Sequence, residues 1–402
     1  MRYPLVILAL ILIPGVAGAD WLEFRGPNGS GAAPEAKLPT EWSAEGKNVA
    51  WKAELPGRGP ASPIVVGDRV IVTGSSGATQ QVMHVVCFAV SDGKKLWERK
   101  FWATGRPYSH QQSSNAAPTP VSDGESVVAF FSSNDLVCLD LDGNLKWFRG
   151  LAYDHPKTGN DVGMASSPVI ADNTVILQVE NQGDSFATGL DLSNGETRWL
   201  IPRLEQANWA SPVVIPSKEG ASSVAILQNS KGLDGVDAYS GEVLWTMKTG
   251  ASTISSSSST PDQLFVPAGG LTVLDVSNPR EEPPIAWEAN KLSLGSVSPV
   301  LHNGKVYTIN RVGVLNCANA EDGEIAWSSR LKGPFWASPV LAGKYLYCAS
   351  FEGVVQVVDV ESKKGEIVST IEMGEQIQAT PAIAGNALYL RSDTHLWKIA
   401  AE

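Results

Sequence analysis

The sequence predicts an all-β protein, an eight-bladed β-propeller built from four-stranded antiparallel blades. Two short signals alternate along the chain: a Ser/Thr-Pro pair that recurs eight times, and a Gly turn that is followed four residues later by Trp. The Ser/Thr-Pro copies are spaced by about 45 residues on average, which is close to the period of propeller blades. The composition agrees, because 38 Gly, 25 Pro and 13 Trp suit many short strands and turns.

The first 19 residues have the pattern of a secretory signal peptide. Arg2 gives a positive start, the run from Leu5 to Ile13 is apolar, and Ala17-Gly18-Ala19 fits a small-residue cleavage site. We therefore expect export to the periplasm or the outside of the cell, and no membrane span in the mature chain. Residues 20–46 are predicted to be an irregular segment, and residues 47–402 a single propeller domain.

Each Ser/Thr-Pro pair predicts the start of the innermost strand, strand A, of a blade. Proline is tolerated there because it need not donate a hydrogen bond to the ladder. The eight prolines are Pro63, Pro120, Pro168, Pro212, Pro261, Pro299, Pro339 and Pro381. Two β-branched runs follow each pair and predict strands B and C. The Ser-rich stretch 252–260 is predicted to be a polar loop that ends in the fifth signal.

Each Gly turn predicts the connection from strand C to the outermost strand, strand D, which carries the Trp. Glycine provides the positive φ of such a turn. The large tryptophan side chain is expected to fill the gap between neighbouring blades. This structural role is assigned to Trp51, Trp97, Trp147, Trp199, Trp245, Trp287 and Trp327. In the remaining copy Ser369 stands in the Trp position.

The two ends of the sequence predict how the ring closes. Only three strands follow the eighth signal, and the segment around Trp51 is a D strand without a blade of its own. If this N-terminal strand completes the C-terminal blade, the ring closes and leaves no open sheet edge.

Charge and cysteine pattern exclude several classes of function. A formal net charge of −11 without a basic cluster argues against nucleic acid and anionic membranes as partners. The four cysteines are not adjacent and lie in strand-like runs, so we expect buried free thiols. The five histidines lack metal-site spacings, and no metal site is predicted.

The repeat resembles that of the PQQ-like repeat family. The motif SGEVLW that ends at Trp245, with Asp237 four residues before Gly241, is similar to the repeat of quinoprotein dehydrogenases and of the outer-membrane assembly lipoprotein BamB. The opening WLEFRGPNGSG is similar to the start of many exported proteins with this repeat. The resemblance implies a propeller fold but is weak evidence for any activity.

Three function classes follow from the resemblance. The first is an exported, non-catalytic scaffold that docks an envelope or secreted protein, and this class is favoured, with a monomer as the expected state. The second is an oxidoreductase with PQQ and Ca²⁺ in the channel mouth, acting on alcohols or sugars. It requires adjacent cysteines and a Glu/Asn/Asp set, which could not be placed on this sequence. The third is a propeller that binds a small ligand in its channel. No cofactor is expected outside the second class.

Candidate binding residues come from the D–A and B–C connections, which share one face of a propeller. Trp209 and Trp336 stand at equivalent positions just before strand A, so they are expected at the channel mouth. The two longest connections, residues 98–119 and 148–167, add Arg106, Tyr108, His110, Tyr153, Asp154, His155 and Asp161. The B–C tips add Glu180, Asn181, Lys231, Arg311, Glu352 and Asp393, a set that is predicted to be solvated. Plain insertion in the two connections, and tryptophans that merely plug the channel, are the alternatives.

Overall fold

The computed structural model describes residues 20–159, 162–217 and 220–401, and these residues form eight antiparallel sheets arranged as propeller blades. The fold class predicted from the repeat is therefore confirmed. The expected signal peptide, residues 1–19, lies outside the described residues. Among the residues described, no helix has the length and apolar character needed to cross a membrane.

The first four blades follow the predicted A-B-C-D order. Before them come a 3-10 turn at Pro27–Gly29, β1 (Ala32–Ala33) and β2 (Val49–Glu54). Blade 1 contains β3 (Ile64–Val66), β4 (Arg69–Ser76), β5 (Val82–Ala89) and β6 (Lys95–Trp102). Blade 2 contains β7 (Val121–Ser122), β8 (Ser126–Phe130), β9 (Asp135–Asp140) and β10 (Leu145–Gly150), and α1 (Leu151–Asp154) follows it. Blade 3 contains β11 (Val169–Ala171), β12 (Thr174–Val179), β13 (Phe186–Asp191) and β14 (Thr197–Pro202). Blade 4 contains β15 (Val213–Ile215), β16 (Val224–Asn229), β17 (Gly232–Asp237) and β18 (Val243–Met247).

The last four blades repeat the arrangement. Blade 5 contains β19 (Ser258–Ser259), β20 (Gln263–Ala268), β21 (Gly270–Asp275) and β22 (Ile285–Ala289). Blade 6 contains β23 (Val300–His302), β24 (Lys305–Ile309), β25 (Val314–Asn319) and β26 (Ile325–Arg330). Blade 7 contains β27 (Val340–Ala342), β28 (Tyr345–Ala349), β29 (Val354–Asp359) and β30 (Glu366–Glu372). Blade 8 contains β31 (Ala382–Ala384), β32 (Ala387–Arg391) and β33 (His395–Ala400).

The N-terminal strand β2 completes blade 8, as the sequence predicts. It pairs antiparallel with β33, and Lys52 lies opposite Trp397 in the ladder. Strand order in this sheet is β2-β33-β32-β31, so β2 takes the outer D position. The two ends of the chain thus share one sheet, and the ring is closed by hydrogen bonds between strands.

The serine or threonine before each strand A links neighbouring blades. Its hydroxyl oxygen accepts a hydrogen bond from the backbone N–H of the equivalent residue in the preceding blade. Seven such bonds of 2.9–3.0 Å join Ser62, Thr119, Ser167, Ser211, Ser256, Ser298, Ser338 and Thr380 in order around the channel. The Ser62 hydroxyl accepts no such bond from the part of the chain that is described. The Ser or Thr of the recurring signal therefore forms a hydrogen bond between blades, in addition to marking the start of strand A.

The fifth of these signals was misplaced by the sequence. Strand A of blade 5 is Ser258–Ser259, and Pro261 lies after it, in the turn to β20. Ser256 and Ser257 occupy the positions that Ser and Pro hold in the other blades, because Ser256 makes the inter-blade bonds on both sides. The stretch predicted as a polar loop thus includes a buried strand. The Ser-rich run was wrongly aligned because a local Thr-Pro imitates the signal.

The D-strand tryptophans pack against the glycine turn of the next blade. The ring of Trp147 lies so close to Gly195 that a Cβ added there would be 2.7 Å from ring carbons. The indole N–H of Trp147 donates to the carbonyl of Leu192 in the same turn at 2.8 Å. Equivalent ring contacts join Trp51 to Gly93, Trp97 to Gly143, Trp199 to Gly241, Trp287 to Gly323 and Trp327 to Gly365. Trp245 instead donates to the carbonyl of Pro279, where blade 5 lacks the glycine.

The apolar core lies between the sheets. Between blades 2 and 3, for example, Phe130 and Cys138 of one sheet are buried in the same cluster as Val175 and Leu177 of the other. The four cysteines are all buried and free. Burial raises the pKa of the Cys87 thiol to about 12, so it is protonated at neutral pH.

The segment after residue 19 enters the central channel. Trp21 pairs with Val65 of blade 1, and the carbonyl of Leu22 accepts from Ser122 of blade 2. On the other side, β1 runs parallel to strand A of blade 7, and the Arg25 guanidinium donates to Ser258 of blade 5. The segment predicted as irregular thus touches the inner strands on both sides of the channel. Residues 38–42 then cross blade 7, where Trp42 stacks on Tyr347 with ring centroids 6.2 Å apart.

Candidate functional site

A cavity of about 320 Å³ lies at the channel mouth on the face formed by the D–A connections, and we call it the mouth cavity. Every D–A connection contributes to its wall, and Phe24 reaches it from the segment inside the channel. It is lined by Phe24, Pro60, His110, Gln112, Ser113, Ala117, Thr119, Val162, Ala165, Ser167, Trp209, Ser211, Ile254, Ser256, Ser296, Trp336, Gln378 and Thr380.

Aromatic and aliphatic side chains form the upper wall of the mouth cavity. Trp209 is half-buried, and its indole N–H donates to the carbonyl of Gly163 at 2.8 Å, which fixes the ring. Trp336 is 47% exposed and Ile254 is 41% exposed, so both present apolar surface at the entrance. The sequence therefore located both tryptophans at the channel mouth, where they form walls around an open space.

Hydroxyl groups form the base of the mouth cavity. Thr119, Ser167, Ser211, Ser256 and Thr380 belong to the inter-blade set and also line the cavity. Among the described residues that line it there is no Asp, Glu, Lys or Arg, and His110 is the one titratable side chain. The described lining thus carries no carboxylate, ammonium or guanidinium group.

The two long D–A connections join into one surface beside the mouth cavity. Gly105 of the first packs against Ala152 of the second, and the His110 N–H donates to the carbonyl of Val162 at 3.1 Å. This joined surface, which we call the aromatic surface, carries Trp102, Tyr108 and Tyr153 with 68%, 54% and 88% of each residue exposed. Such exposure of three large aromatic residues on neighbouring segments is typical of an interaction site.

Most other predicted rim residues are engaged outside the mouth cavity. Asp154 pairs with Arg149 at 2.7 Å, and the His155 ring contacts Phe186 in a tilted arrangement with centroids 4.3 Å apart. The Arg106 guanidinium lies 4.9 Å from the centre of the Tyr108 ring. These contacts hold the long connections in shape. Asp161 falls outside the residues that the structure describes.

Two predicted B–C residues lie elsewhere on the same face. Arg311 lines a second, polar depression of about 570 Å³ between the connections of blades 4, 5 and 6. Glu352 is exposed on the tip of blade 7 and does not line the mouth cavity. The structure therefore brings together only His110, Trp209 and Trp336 from the predicted set.

Two members of the B–C set, Glu180 and Asn181, were predicted wrongly, because both are buried rather than solvated. Glu180 is buried, and its carboxylate accepts from Arg203 at 2.6 Å and from Asn208 at 3.1 Å. Arg203 also pairs with Asp234 of blade 4. Burial raises the pKa of Glu180, while the Arg203 cation opposes that shift. The sequence missed this ion pair because its partners lie more than 20 residues apart.

Two more ionisable side chains, the partly buried Glu23 and the buried Arg25, lie inside the channel. Burial raises the pKa of Glu23 to about 7, and Arg25 opposes the shift. Burial likewise lowers the pKa of Arg25 to about 9. Arg25 is held by hydrogen bonds to the hydroxyl of Ser258 and the carbonyl of Ser257. These groups hold the segment in place below the mouth cavity.

The described lining of the mouth cavity carries no carboxylate. Calcium sites in proteins use six to eight oxygen ligands, carboxylates among them. Among the described residues no group of three or more His, Cys, Asp or Glu side chains is arranged to hold a metal ion. The cavity can instead stack a flat, uncharged group and form hydrogen bonds to it.

Sequence comparison places the repeat among known proteins. The family model described as outer membrane protein assembly factor BamB matches residues 35–213 and 229–367, which is most of the chain. The chain is 23% identical over 249 residues to outer membrane protein assembly factor BamB of Legionella pneumophila (strain Paris). That match covers 61% of this chain and 51% of the relative, so the chain spans about half the length of this curated relative.

Solved structures share the fold at low sequence identity. BamB from Moraxella catarrhalis matches with a TM-score of 0.66 and 17% identity over 87% of this chain and 96% of that one. The quinohemoprotein alcohol dehydrogenase from Comamonas testosteroni matches with a TM-score of 0.71 and 12% identity over 95% of this chain and 81% of that one. BamB and an alcohol dehydrogenase thus match with similar TM-scores, and the likeness shows the fold alone.

Proposed function

Because this chain belongs to the family described as outer membrane protein assembly factor BamB, we propose that it is an envelope scaffold that docks a protein partner in outer-membrane protein assembly. The relatives carry that role in their names, and the signal-like residues 1–19 support a place in the periplasm or at the envelope. The observation that carries the proposal is the aromatic surface formed by the two long D–A connections.

The aromatic surface has the chemistry of a protein interface. Tyrosine and tryptophan dominate the binding energy of interfaces because they bury large areas with little loss of side-chain freedom. Tyr153 follows directly on β10 within the short helix α1, and Trp102 ends β6, so both stand on ordered elements. A partner would therefore meet aromatic residues that are already held in place.

A redox function has less support. We propose that no PQQ or Ca²⁺ is bound, because the described residues that line the mouth cavity offer no carboxylate to the metal. Purified protein should therefore show no saturable PQQ absorbance with Ca²⁺ and no dye reduction with alcohols or sugars. Saturable cofactor binding with turnover would establish the oxidoreductase function instead.

The docking proposal is tested in the host cell. Deletion of the gene should lower the amount of folded outer-membrane β-barrel protein, measured by heat-modifiable mobility on gels, and the wild-type gene should restore it. A triple variant Trp102→Ser, Tyr108→Ser, Tyr153→Ser should fail to restore it.

Tyr239→Ser provides the matched control. Tyr239 is 55% exposed and lies in a C–D turn on the opposite face, so its variant should restore assembly fully. Equal recovery by the triple variant, at equal protein level, would exclude the aromatic surface as the dock. Unchanged β-barrel levels in the deletion strain would refute the assembly function itself.

A further inference from the structure

We propose that the mouth cavity binds a neutral carbohydrate unit. This inference goes beyond the docking function and concerns a different set of residues, since Trp102, Tyr108 and Tyr153 do not line the cavity. The volume of the mouth cavity is at the lower end of the range for ligand pockets, roughly 300–1,000 Å³, and suits a single small ligand. Four observations identify the chemical class.

The first observation is the absence of charge. None of the described residues that line the cavity is Asp, Glu, Lys or Arg. A buried ionic ligand needs an opposite charge beside it or several strong hydrogen bonds from the protein, because desolvation of an unpaired charge is costly. An uncharged ligand avoids this cost, so acidic sugars, phosphates and ammonium compounds are disfavoured.

The second observation is the presence of aromatic faces at the entrance. Trp209 is fixed through its bond to Gly163, and Trp336 lies half-exposed on another part of the rim. The face of an indole ring carries negative charge density, and the C–H groups on one face of a sugar ring carry a small positive charge. When a sugar ring stacks flat on a tryptophan, its positive C–H groups lie against the negative face of the indole ring.

The third observation concerns the hydroxyls at the base. Each of Thr119, Ser167, Ser211, Ser256 and Thr380 accepts one backbone N–H from the preceding blade. A hydroxyl can also donate, and no hydrogen bond donated by these five groups to another described residue is formed. Their O–H hydrogens are therefore available to oxygen atoms of a ligand.

The fourth observation is that amide side chains complement the hydroxyls. Gln112 and Gln378 line the cavity, and each amide offers both a donor and an acceptor. A sugar hydroxyl needs both kinds of partner. An apolar side chain of a peptide in the cavity would leave the hydroxyl groups at its base without hydrogen-bond acceptors. Each buried donor left unpaired costs free energy.

Tryptophan fluorescence and saturation-transfer NMR test the proposal with a defined panel. The panel contains glucose, galactose, N-acetylglucosamine and their β-1,4-linked disaccharides. At least one should bind saturably at concentrations up to about 50 mM, within the range of weak single-site binding. Trp336→Ala should weaken the affinity by at least about tenfold, a change that corresponds to the loss of one stacking contact.

Two further variants keep the outcome interpretable. Trp336→Phe retains a ring and should bind within about threefold of the wild type, while Tyr239→Ala, on the opposite face, should bind equally well. Each variant is first shown to unfold at the wild-type temperature. No binding across the panel, binding unaffected by Trp336→Ala, or binding of N-acetyl-phenylalaninamide in place of every sugar would each overturn the proposal. Loss of sugar binding with intact docking by Trp102, Tyr108 and Tyr153 would separate the two functions.

Discussion

The hydroxyl before each strand A is a small group with a large structural role. Ser298 is buried, and its oxygen accepts the backbone N–H of Ser256 at 3.0 Å. We expect Ser298→Ala to lower the free energy of unfolding by about 1–3 kcal/mol, because a buried N–H loses its acceptor. Urea denaturation measures the change.

Ser62→Ala is the matched control. Ser62 holds the equivalent position and is equally buried, but its hydroxyl accepts no bond from a described residue. Its replacement should change stability by less than about 0.5 kcal/mol. Equal losses in the two variants would show that the oxygen contributes nothing beyond its volume.

Glu98 is expected to govern part of the acid stability. Burial alone would raise the pKa of Glu98. Hydrogen bonds from Lys95 and His84 outweigh this effect and lower the pKa from 4.5 to about 2. A carboxyl whose pKa is lower in the folded state stabilises the fold above its unfolded pKa, and this contribution is lost as pH falls from about 4.5 toward 2. Glu98→Gln should therefore reduce stability at pH 7, by on the order of 2 kcal/mol, and flatten its decline in acid.

Thermal unfolding between pH 2 and pH 7 measures the Glu98 effect. Glu205→Gln, at an exposed position, is the control and should keep the wild-type profile. Parallel pH profiles for Glu98→Gln and the wild type would contradict the role of this carboxylate.

Features of single residues could be predicted from sequence only where they recur in every copy of the repeat. The Ser/Thr of each signal could be located from sequence, but its bond to the neighbouring blade could not, because that bond joins residues about 40 positions apart. Glu180 was predicted to be solvated because B–C tips usually are, and the partner Arg203 that permits its burial is remote in sequence. Trp209 and Trp336 could be placed because they adjoin a recognisable signal.

At the scale of the blades, the contact between a tryptophan and the glycine turn of the next blade couples neighbouring sheets. Gly195 has φ of +75°, and a Cβ there would lie 2.7 Å from the Trp147 ring. Gly195→Ala should lower the free energy of unfolding through backbone strain of about 1–2 kcal/mol and through overpacking of about 1–3 kcal/mol. Urea denaturation with a constant m-value would measure both together.

Gly374→Ala separates the two costs. Gly374 has nearly the same φ, +74°, but nothing lies within 4 Å of an added Cβ. This variant should lose only the backbone part, about 1–2 kcal/mol. If Gly195→Ala is no less stable than Gly374→Ala, the tryptophan contact is not tight.

Most elements could be predicted from sequence because turn chemistry and strand alternation are local. Blade 5 is the exception, since its strand A is Ser258–Ser259 rather than a β-branched run. Strand propensity there is overridden by the ring, which supplies partners on both sides of the strand. The position of residues 20–46 could not be predicted from sequence either, because their hydrogen bonds to the inner strands have no counterpart in the repeat.

At the scale of the whole molecule, closure by β2 should decide whether the ring unfolds cooperatively. A chain that lacks residues 20–46 keeps β2, whereas a chain that lacks residues 20–54 leaves β33 as an open edge. We expect the shorter deletion to lower the unfolding temperature and retain one transition. The longer deletion should abolish cooperative unfolding and promote association through the edge.

Differential scanning calorimetry and size-exclusion chromatography compare the two deletions. Addition of a synthetic peptide that covers residues 47–55 to the longer deletion should restore a single transition, since it supplies the missing strand. A cooperative, monomeric product from the longer deletion alone would refute the closing role of β2.

The pairing of β2 with β33 also fixes the chronology of folding. Lys52 leaves the ribosome long before its ladder partner Trp397, so the outer pairing of blade 8 cannot form until β33 has been made. Contacts between residues this far apart are slow to form, because a long loop must close first. The strand β2 therefore stays unpaired until β33 emerges, and a chaperone that holds the nascent chain during this interval would raise its yield.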